Sequence, residues 1–409
     1  MGSINIDNTG TGADVTLSSD GTDLLLDGTA IGGGGGGADL YAANESSPTA
    51  QPSATGTNAI AIGDSSTSSS TQSFAFGGGT SSGFNSFAFG LSSTSSQTYS
   101  NAFHRCTASG QGSFAAGSNG LNQGSVATGT GSMALATSYA SNNGSFAAAV
   151  DNNTSSYGAT GTNSIAMGYQ AKATGGYSVA IGQTCTASST GTTALGIGSS
   201  ASGNYSTAIG RNVTATSTSI GLGYIVSATG GYSTALGSNV SATGWQSMAL
   251  GSNSVAATSG KLAYAGGRFS ANGDAQTGIY VLRSDTTDAT AEALTTDNSS
   301  AGTDDQIILV DESAMTFTGT VVVREDATDG DDYAGWEIKG VIMRGTGVAT
   351  TTLGVGIVNS LYHTAGLASA SVALSADTTN GGLKIEVTGI AATNLRWVAT
   401  VHTSEVVNA

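Results

Sequence analysis

Residues 58–266 repeat one short pattern of polar, apolar and small positions. The stretch Ser178-Val179-Ala180-Ile181-Gly182 reads polar, apolar, small, apolar, glycine, and near copies begin at Ser164 and at Thr192. Alternation with a period of two is typical of a β-strand, whereas an amphipathic helix repeats its apolar positions every three or four residues. The pattern therefore predicts one short strand in each repeat.

The spacing of the copies decides between repeat architectures. Helical-hairpin repeats take more than about 30 residues, and the copies here follow one another much more closely, so such repeats are excluded. A repeat of about 14 residues holds two short strands and two tight turns, which make one turn of a β-solenoid. Two longer steps, from Ser113 to Ser132 and from Ser145 to Ser164, predict loops that leave the solenoid at one edge.

The apolar residues that flank the central alanine are expected to point in opposite directions, one into the turn and one outward. An outward apolar position repeated in every turn makes a stripe larger than monomeric proteins normally expose. We therefore expect the stripe to be an interface between copies of this chain. The surplus of apolar surface predicts an oligomer but does not fix the number of chains.

The regions on either side of the repeats have different patterns. Residues 1–31 alternate apolar and polar positions around Asn-Thr-Gly and Asp-Gly turns, which predicts a β-rich N-terminal attachment segment. Residues 32–57 begin with a run of consecutive glycines and are predicted to be a flexible linker.

Residues 267–409 alternate over several short segments separated by turn signals, which predicts a C-terminal antiparallel β-sandwich. Such a domain suits receptor recognition, a cap on the solenoid or a clamp between copies, and the sequence leaves these roles open. The predicted strands are Gly278–Leu282, Gln306–Val310, Met315–Arg324, Tyr333–Arg344, Val348–Val358, Ala368–Ser375, Gly381–Thr388 and Leu395–His402.

Composition narrows the class further. The chain has 62 glycines among 409 residues, only two prolines, and 9% charged residues. These values argue against collagen, which needs abundant proline and a glycine at every third position. They also argue against a disordered chain, which usually carries more charge and fewer aliphatic residues. The net charge of −16 and the absence of a basic stripe argue against nucleic-acid binding. No apolar run is long enough to insert into a membrane.

The titratable residues give few candidates for chemistry. Cys106 and Cys185 are far apart in the sequence and are expected to be free thiols in the interior. The histidines, His104, His363 and His402, do not have metal-ligand spacing. His104 stands where the repeat has glycine and is expected to mark a distorted turn.

The densest acidic run lies between residues 324 and 337. Asp326, Asp329, Asp331 and Asp332 are weak calcium candidates, because the run lacks the alternating spacing of an EF-hand loop and reads more simply as a solvated hairpin loop. Tyr333 and Trp336 follow it and are candidate receptor contacts, although Trp336 also suits a core strand.

Enzyme motifs are missing from the pattern. The repeats contain two acidic residues, Asp64 and Asp151, which is few for a glycosidase that needs paired carboxylates. There is no nucleophile motif and no phosphate-binding loop. The sequence therefore predicts that the chain is not an enzyme and has neither a cofactor nor a catalytic metal.

The repeat phrases themselves carry a family resemblance. "NSIAMGYQAKATGGYSVAIG" and "GNYSTAIGRNVTATSTSIGLG" resemble the head repeats of the YadA-like trimeric autotransporter adhesins. The resemblance implies a left-handed parallel β-roll, a homotrimer and an adhesive function. The residues that define the repeat are Ala166, Gly168, Ala180, Gly182, Ala194, Gly196, Ala208, Gly210, Ala235, Gly237, Ala249 and Gly251.

The ends of the chain depart from the autotransporter plan, since neither a signal peptide nor a heptad stalk is visible. Similar repeats occur in bacteriophage tail fibres, so we expect a virion fibre made in the host cytoplasm. Its expected partners are sister chains, other virion tail or capsid proteins, and a host surface glycan or outer-membrane protein. The alternatives are an exported cellular adhesin and a glycan depolymerase tailspike.

Overall fold

In the computed structural model of the protein, the described residues are 51–118, 124–149, 156–326 and 330–408, with four short strands before residue 31. Those strands, Ile4–Ile6, Val15–Ser19, Leu24–Leu26 and Thr29–Ala30, pair antiparallel in chain order. The glycine run at residues 32–37 and parts of the two longer repeat steps lie outside the described residues.

The chain divides into two units, Met1–Thr137 and Ser138–Ala409. Both units contain turns of a parallel β-solenoid, about 14 in all. The helical segments among the described residues are two 3-10 turns, Val348–Thr350 and Ala365–Leu367. The described residues contain no helix with the length and apolar character that a membrane crossing requires.

Each solenoid turn has two strands. We call the strand with the central alanine the phrase strand and the other the return strand. In the first unit the phrase strands are Ile60–Ile62, Phe74–Phe76, Phe87–Phe89, Asn101–Phe103, Phe114–Ala116 and Met133–Leu135. The return strands are Ser53–Ala54, Thr67–Ser68, Thr80–Ser81, Thr94–Ser95, Thr107–Ala108 and Val126–Ala127. The parallel ladder thus begins at Ser53, inside the segment that the sequence assigned to the linker.

The second unit continues the same two-strand turn. Its phrase strands are Phe146–Ala148, Ile165–Met167, Val179–Gln183, Thr193–Ile197, Thr234–Ser238, Met248–Ser252 and Leu262–Gly266. The return strands are Tyr139–Ala140, Gly158–Ala159, Lys172–Ala173, Thr186–Ala187, Ser200–Ala201, Ser241–Ala242 and Val255–Ala256. Thr207–Ala215 and Ile220–Ala228 run through both positions without a break.

The interior of a turn is built mainly from alanine and serine, with cysteine or valine at one position of some turns, such as Val213. Ala180 stacks on Ala166 and Ala194 in register, and all three are fully buried. The anchor serine, two residues before the central alanine, also points inward, and in several turns its hydroxyl donates to the carbonyl three residues earlier, as in Ser178 to Gly175 at 2.7 Å. The buried apolar side chains in the described solenoid turns are no larger than valine, so the interior is narrow.

This narrow interior corrects the expected direction of the flanking residues. Both apolar residues beside the central alanine point outward, because residues two apart on a strand lie on the same side. The rings of Phe87 and Phe89 are direct evidence, since they stack at 6.3 Å on one face of a single strand. The outward stripe therefore has two apolar positions in most turns, where the sequence predicted one.

The C-terminal part begins with an antiparallel strand on the last solenoid turn. Ala275–Thr286 pairs with Leu262–Gly266, and the sheet continues through Leu395–Val407, Ser313–Glu325, Tyr333–Arg344 and Thr352–His363. A smaller antiparallel sheet contains Ala291–Ala293, Ile307–Ile308, Ser371–Asp377 and Gly382–Thr388. Side chains of both sheets form one buried apolar cluster, which includes Tyr280, Trp397 and Ile385.

Candidate functional site

The outward side of the phrase strands is the most extensive candidate surface. In the second unit it is aliphatic: Ile165, Met167, Ile181, Leu236 and Met248 are each between 36% and 48% exposed. They lie in register from turn to turn, so the exposed apolar residues follow the solenoid axis. Apolar surface that is this continuous is typical of a protein interface.

In the first unit the same face is aromatic. Neighbouring phenylalanine rings contact each other from turn to turn, as in Phe76 with Phe89 at 5.8 Å and Phe103 with Phe114 at 5.4 Å. The rings are tilted by about 40°, a geometry that aromatic pairs favour over a flat sandwich. The interface candidate thus occurs in both units with different side chains.

The two corners of each turn border this face, and both use left-handed backbone. We call the residue just before the anchor serine the first corner. The phrase glycine, two residues after the central alanine, and the residues that follow it make the second corner. The phrase glycines have positive φ, for example 122° at Gly182 and 115° at Gly196. A Cβ atom at Gly182 would meet the carbonyl oxygen of Gly196 in the next turn. The glycines that the sequence singled out therefore permit the close stacking of turns.

The remaining repeat-defining residues have the same two environments. The alanines at 166, 180, 194, 208, 235 and 249 are fully buried, and the glycines at 168, 210, 237 and 251 have φ between 94° and 140°. His104 replaces the phrase glycine of its turn at a φ of 45°, is exposed, and has its Nδ1 2.8 Å from the Ser118 hydroxyl.

Cys106 and Cys185 are free and fully buried, as the sequence predicted. They occupy the same interior position in their turns. Burial raises the pKa of each thiol, although hydrogen bonds from Ser125 and Ser199, respectively, oppose the shift. A protonated, buried thiol is a weak nucleophile, so both cysteines act as small core residues.

The acidic run in the C-terminal part does not form a metal site among the described residues. Asp326 makes an ion pair with Arg396 at 3.0 Å, and Asp329 lies outside the described residues. No group of three or more His, Cys, Asp or Glu side chains in the described chain could hold a metal ion, which includes Asp331 and Asp332.

The two aromatic receptor candidates have different environments. Trp336 is only 5% exposed and stacks on Trp397 with ring centroids 5.6 Å apart, so it belongs to the core and the receptor-contact prediction for it is wrong. Tyr333 is half exposed and packs against Tyr362 at 5.3 Å, beside the edge strand Thr352–His363. His363 and His402 are also exposed.

Sequence reasoning missed a buried ion pair where the last solenoid turn joins the C-terminal sheet. Lys261 Nζ lies 2.7 Å from Glu405 Oε2, and the Glu405 carboxylate also accepts from Gln276 and Thr403. Burial acts to raise the pKa of Glu405, but the charge of Lys261 and these donors outweigh it and hold the pKa below the usual glutamate value. A cavity of about 190 Å³ adjoins the pair.

A polar cleft of about 590 Å³ lies beside the small sheet. Its walls include Asp285, Glu292, Lys384 and Glu386, and Lys384 is paired with Glu386 at 3.2 Å. The cleft offers hydrogen-bonding groups of both charges. No sequence pattern predicted it, because the strands that form it are short and distant along the chain.

Comparison with known proteins identifies the repeats. A family model described as the YadA head domain repeat (2 copies) matches residues 54–80, 159–183, 187–212 and 228–254. These four segments of the chain are similar to the YadA head domain repeat. The matched segments fall in both units, and each contains phrase strands with outward apolar residues, so the resemblance in the sequence is confirmed.

Two solved structures are similar over much of this chain at low identity. One is the tailspike protein gp49 of Acinetobacter baumannii bacteriophage Fri1, with 10% identity, a TM-score of 0.23 and coverage of 88% of this chain. The other is the tailspike of Acinetobacter baumannii phage AM24, with 9% identity, a TM-score of 0.18 and coverage of 68%. This chain spans 65% and 46% of their lengths, respectively. None of the curated proteins matches this chain.

The prediction that the chain is not an enzyme is contradicted by the first of these structures. That tailspike is described as a capsular polysaccharide depolymerase, so a protein similar to this one is an enzyme, and we withdraw the prediction. The depolymerase activity belongs to that tailspike, and a TM-score of 0.23 does not transfer it to this chain.

Proposed function

We propose that this protein is a structural attachment fibre whose YadA head repeats assemble as a homotrimer and whose exposed surfaces bind a cell surface. The observation that carries the proposal is the outward apolar stripe over an interior of alanine and serine. A turn with so small an interior buries little apolar area by itself, and its larger side chains remain to be covered. The same stripe on other copies of the chain would cover these outward side chains.

The number of chains rests on the resemblance to YadA-like heads, which implies three. Three solenoids with their phrase strands facing a common axis would bury Ile181, Leu236 and Met248 together. Small residues beside them, such as the phrase glycines, allow the backbones to approach. We also propose that the C-terminal sheets pack as an antiparallel β-sandwich, which acts as a receptor domain, as a cap on the solenoid or as a clamp between copies.

The site of action in this proposal is a virion, where the protein joins other tail or capsid proteins and contacts a host glycan or outer-membrane protein. Repeats suit such a role because each turn presents the same surface again, and many weak contacts add up to strong attachment.

The assembly is tested by light scattering on the full chain. The expected mass is that of three chains. Leu236→Ser combined with Met248→Ser places hydroxyls in the stripe and is expected to shift the mass toward one chain. Thr243→Ala, an exposed change away from the stripe, is the control. A stable single chain with an intact solenoid would contradict the trimer.

Attachment is tested with the fluorescently labelled full chain on a panel of capsulated and uncapsulated bacteria. We expect saturable adsorption to some strains, with competition by unlabelled protein. Antibodies against the chain should also label a virus particle from the same source. Absence of adsorption on every strain, or labelling of cells and not of particles, would count against the virion-attachment role.

A further inference from the structure

Three tyrosines stand at equivalent first-corner positions of the second unit. Tyr177, Tyr205 and Tyr232 each precede an anchor serine, and the strand register aligns them along the solenoid axis. Gly191 and Thr218 occupy the corner in the turns between them. The tyrosines therefore recur at every second turn, which separates them by about 10 Å. We call this row the tyrosine ridge.

The ridge is among the most exposed aromatic surfaces of the described chain. Tyr177, Tyr205 and Tyr232 are 67%, 68% and 58% exposed. The ring of Tyr205 lies over Gly191, where a Cβ atom would come within 2.7 Å of the ring carbon Cδ1. The glycine thus leaves space for the ring to lie along the solenoid. Trp245 extends the row by one turn and contacts Tyr232 edge to face at 5.0 Å.

The backbone at the ridge is unfavourable for tyrosine. The φ angles of Tyr177, Tyr205 and Tyr232 are 57°, 58° and 57°, in the left-handed region that bulky residues rarely adopt. Other turns have asparagine at this corner, at Asn58, Asn85 and Asn163, which tolerates the conformation well. Since the rings gain little burial in return, folding does not explain their presence. Backbone strain of this kind is often retained at functional sites.

The surroundings of the ridge define what it can bind. The exposed neighbours in the first-corner segments are hydroxyl and amide side chains, among them Ser188, Ser202, Asn204 and Ser217. Segments 174–177, 188–191, 202–205, 216–218 and 229–232 contain no charged residue. The corner amides are already used, because Tyr177, Tyr205 and Tyr232 donate their N–H groups to carbonyls of the preceding turn. A peptide strand would find no free edge there, and a nucleic acid would find no cations within these corner segments.

A neutral polysaccharide meets these requirements. Sugar rings have apolar C–H faces that stack on aromatic rings, and hydroxyl edges that hydrogen-bond to serine, asparagine and the tyrosine hydroxyl. The separation of two turns is comparable with the length of a disaccharide in an extended glycan. A chain that runs parallel to the solenoid could therefore place one sugar ring on each tyrosine.

We propose that the tyrosine ridge binds a neutral polysaccharide that lies along the solenoid axis, with sugar rings stacked on Tyr177, Tyr205 and Tyr232. The inference rests on the proposed attachment function and names the class of its partner. Sister chains are a less suitable occupant, because the ridge has a polar, hydroxyl-rich border and the aliphatic stripe of the phrase strands supplies the apolar interface.

The test uses the full chain with the triple variant Tyr177→Asn, Tyr205→Asn and Tyr232→Asn, since asparagine is native to this corner. The matched control changes two second-corner tyrosines, Tyr169→Gln and Tyr224→Ser, to residues found at that corner in neighbouring turns. Affinity electrophoresis in gels that contain dextran, galactomannan or yeast mannan measures binding. Dextran sulfate is the charged comparison, and light scattering measures the mass of the assembly.

We expect at least one neutral polysaccharide to retard the wild type and the control. Dextran sulfate should retard them no more than dextran does. Each lost tyrosine should weaken binding about tenfold, by analogy with the stacking of bases on aromatic side chains. Longer oligosaccharides should compete better than short ones, because they span more than one tyrosine. The triple variant should keep the mass of the wild type.

The proposal would be overturned if none of the three neutral polysaccharides retarded the wild type, or if the triple variant bound as well as the control. A changed mass in the triple variant would assign the ridge to contacts between copies instead. Adsorption to bacteria separates the two proposals. If the wild type and the triple variant adsorb equally, the ridge inference fails while attachment stands, and if the wild type does not adsorb at all, attachment itself fails.

Discussion

A turn of the solenoid and the C-terminal domain have the same β-backbone but different interiors. Ala180, Cys185 and Ser178 fill a turn in the second unit, whereas the domain buries Trp397, Tyr280 and Leu282 completely. The free energy gained by burial grows with the apolar area removed from water, so the domain gains far more per residue than a turn does.

The two regions therefore obtain their stability from different contacts. The domain has a core of its own, held by contacts between distant strands. A solenoid turn depends on the ladders to the turns above and below and on whatever covers its outward side chains. Substitutions in the two regions should therefore have effects of different size, and four of them test this comparison.

The largest effect is expected for Trp397→Ala. The indole stacks on Trp336 and its Nε1 donates to the Thr286 hydroxyl at 3.0 Å, so the change leaves a cavity and an unpaired hydroxyl. We expect the free energy of unfolding of the domain to fall by about 3–5 kcal/mol. Urea unfolding followed by fluorescence measures it. Val398→Ala, on the exposed side of the same strand, should change it little, and an equal loss in both variants would contradict the buried core.

A similar or slightly smaller effect is expected for Glu405→Gln, which leaves Lys261 buried without a counter-charge. Removing one partner of a buried pair costs about 3 kcal/mol or more. Because the folded pKa of Glu405 is lowered, its contribution is complete above the unfolded glutamate pKa of about 4.3 and is lost as the pH falls through the folded value.

The measurement for Glu405→Gln is the pH dependence of unfolding below about pH 5. The wild type should lose stability there, and the variant should lack that component of the loss. Glu337→Gln removes an exposed partner of Lys339 and serves as the control, with little expected change. Identical acid profiles for wild type and Glu405→Gln would refute the role of the pair.

A moderate effect is expected for Ala180→Val in the solenoid. The two added methyl groups must fit beside Ala166 and Ala194, which should cost about 1–3 kcal/mol. Hydrogen exchange should show faster opening of the turns on either side. Thr193→Val puts a methyl group in place of a hydroxyl at an outward position of the next turn and should leave exchange unchanged. If Ala180→Val were equally silent, the interior would be wider than the structure indicates.

The smallest effect is expected for Cys185→Ser. Ser199 and Ser254 occupy the same interior position in other turns, so the free energy of unfolding should change by less than about 1 kcal/mol. Because burial raises the pKa of Cys185, a thiol reagent at pH 8 should label neither cysteine in the folded wild type and both in urea. Rapid labelling of the folded protein would place a cysteine outside the core.

Much of the secondary structure was predictable because alternation is a local signal. The strand Tyr333–Arg344 has the predicted bounds, and all eight predicted C-terminal strands occur within a few residues. The prediction that began at Val348 started too early, because Val348–Thr350 forms a 3-10 turn first. The short strand Ala291–Ala293 was missed, since so short a segment carries no measurable period.

The candidate sites were less predictable than the strands. The outward stripe could be inferred, but its width was underestimated because the narrow cross-section of a turn excludes both flanking residues. The sequence left Trp336 open between a receptor contact and a core strand, and its neighbour Trp397, from another strand, decides for the core. The tyrosine ridge is visible in the sequence as a tyrosine before every second anchor serine from Ser178 to Ser233, but its left-handed backbone and its exposure are not.

The sequence by itself determined the repeat, its period and the two-strand turn, because a strand's alternation and a glycine's freedom at positive φ depend on neighbours along the chain. Tertiary structure alone decided which side of each strand is buried, and it brought together groups as distant as Lys261 and Glu405, 144 residues apart. The physical reason is that burial and ion pairing depend on distances in space, and in this fold those distances are set by how turns stack and how remote strands pair.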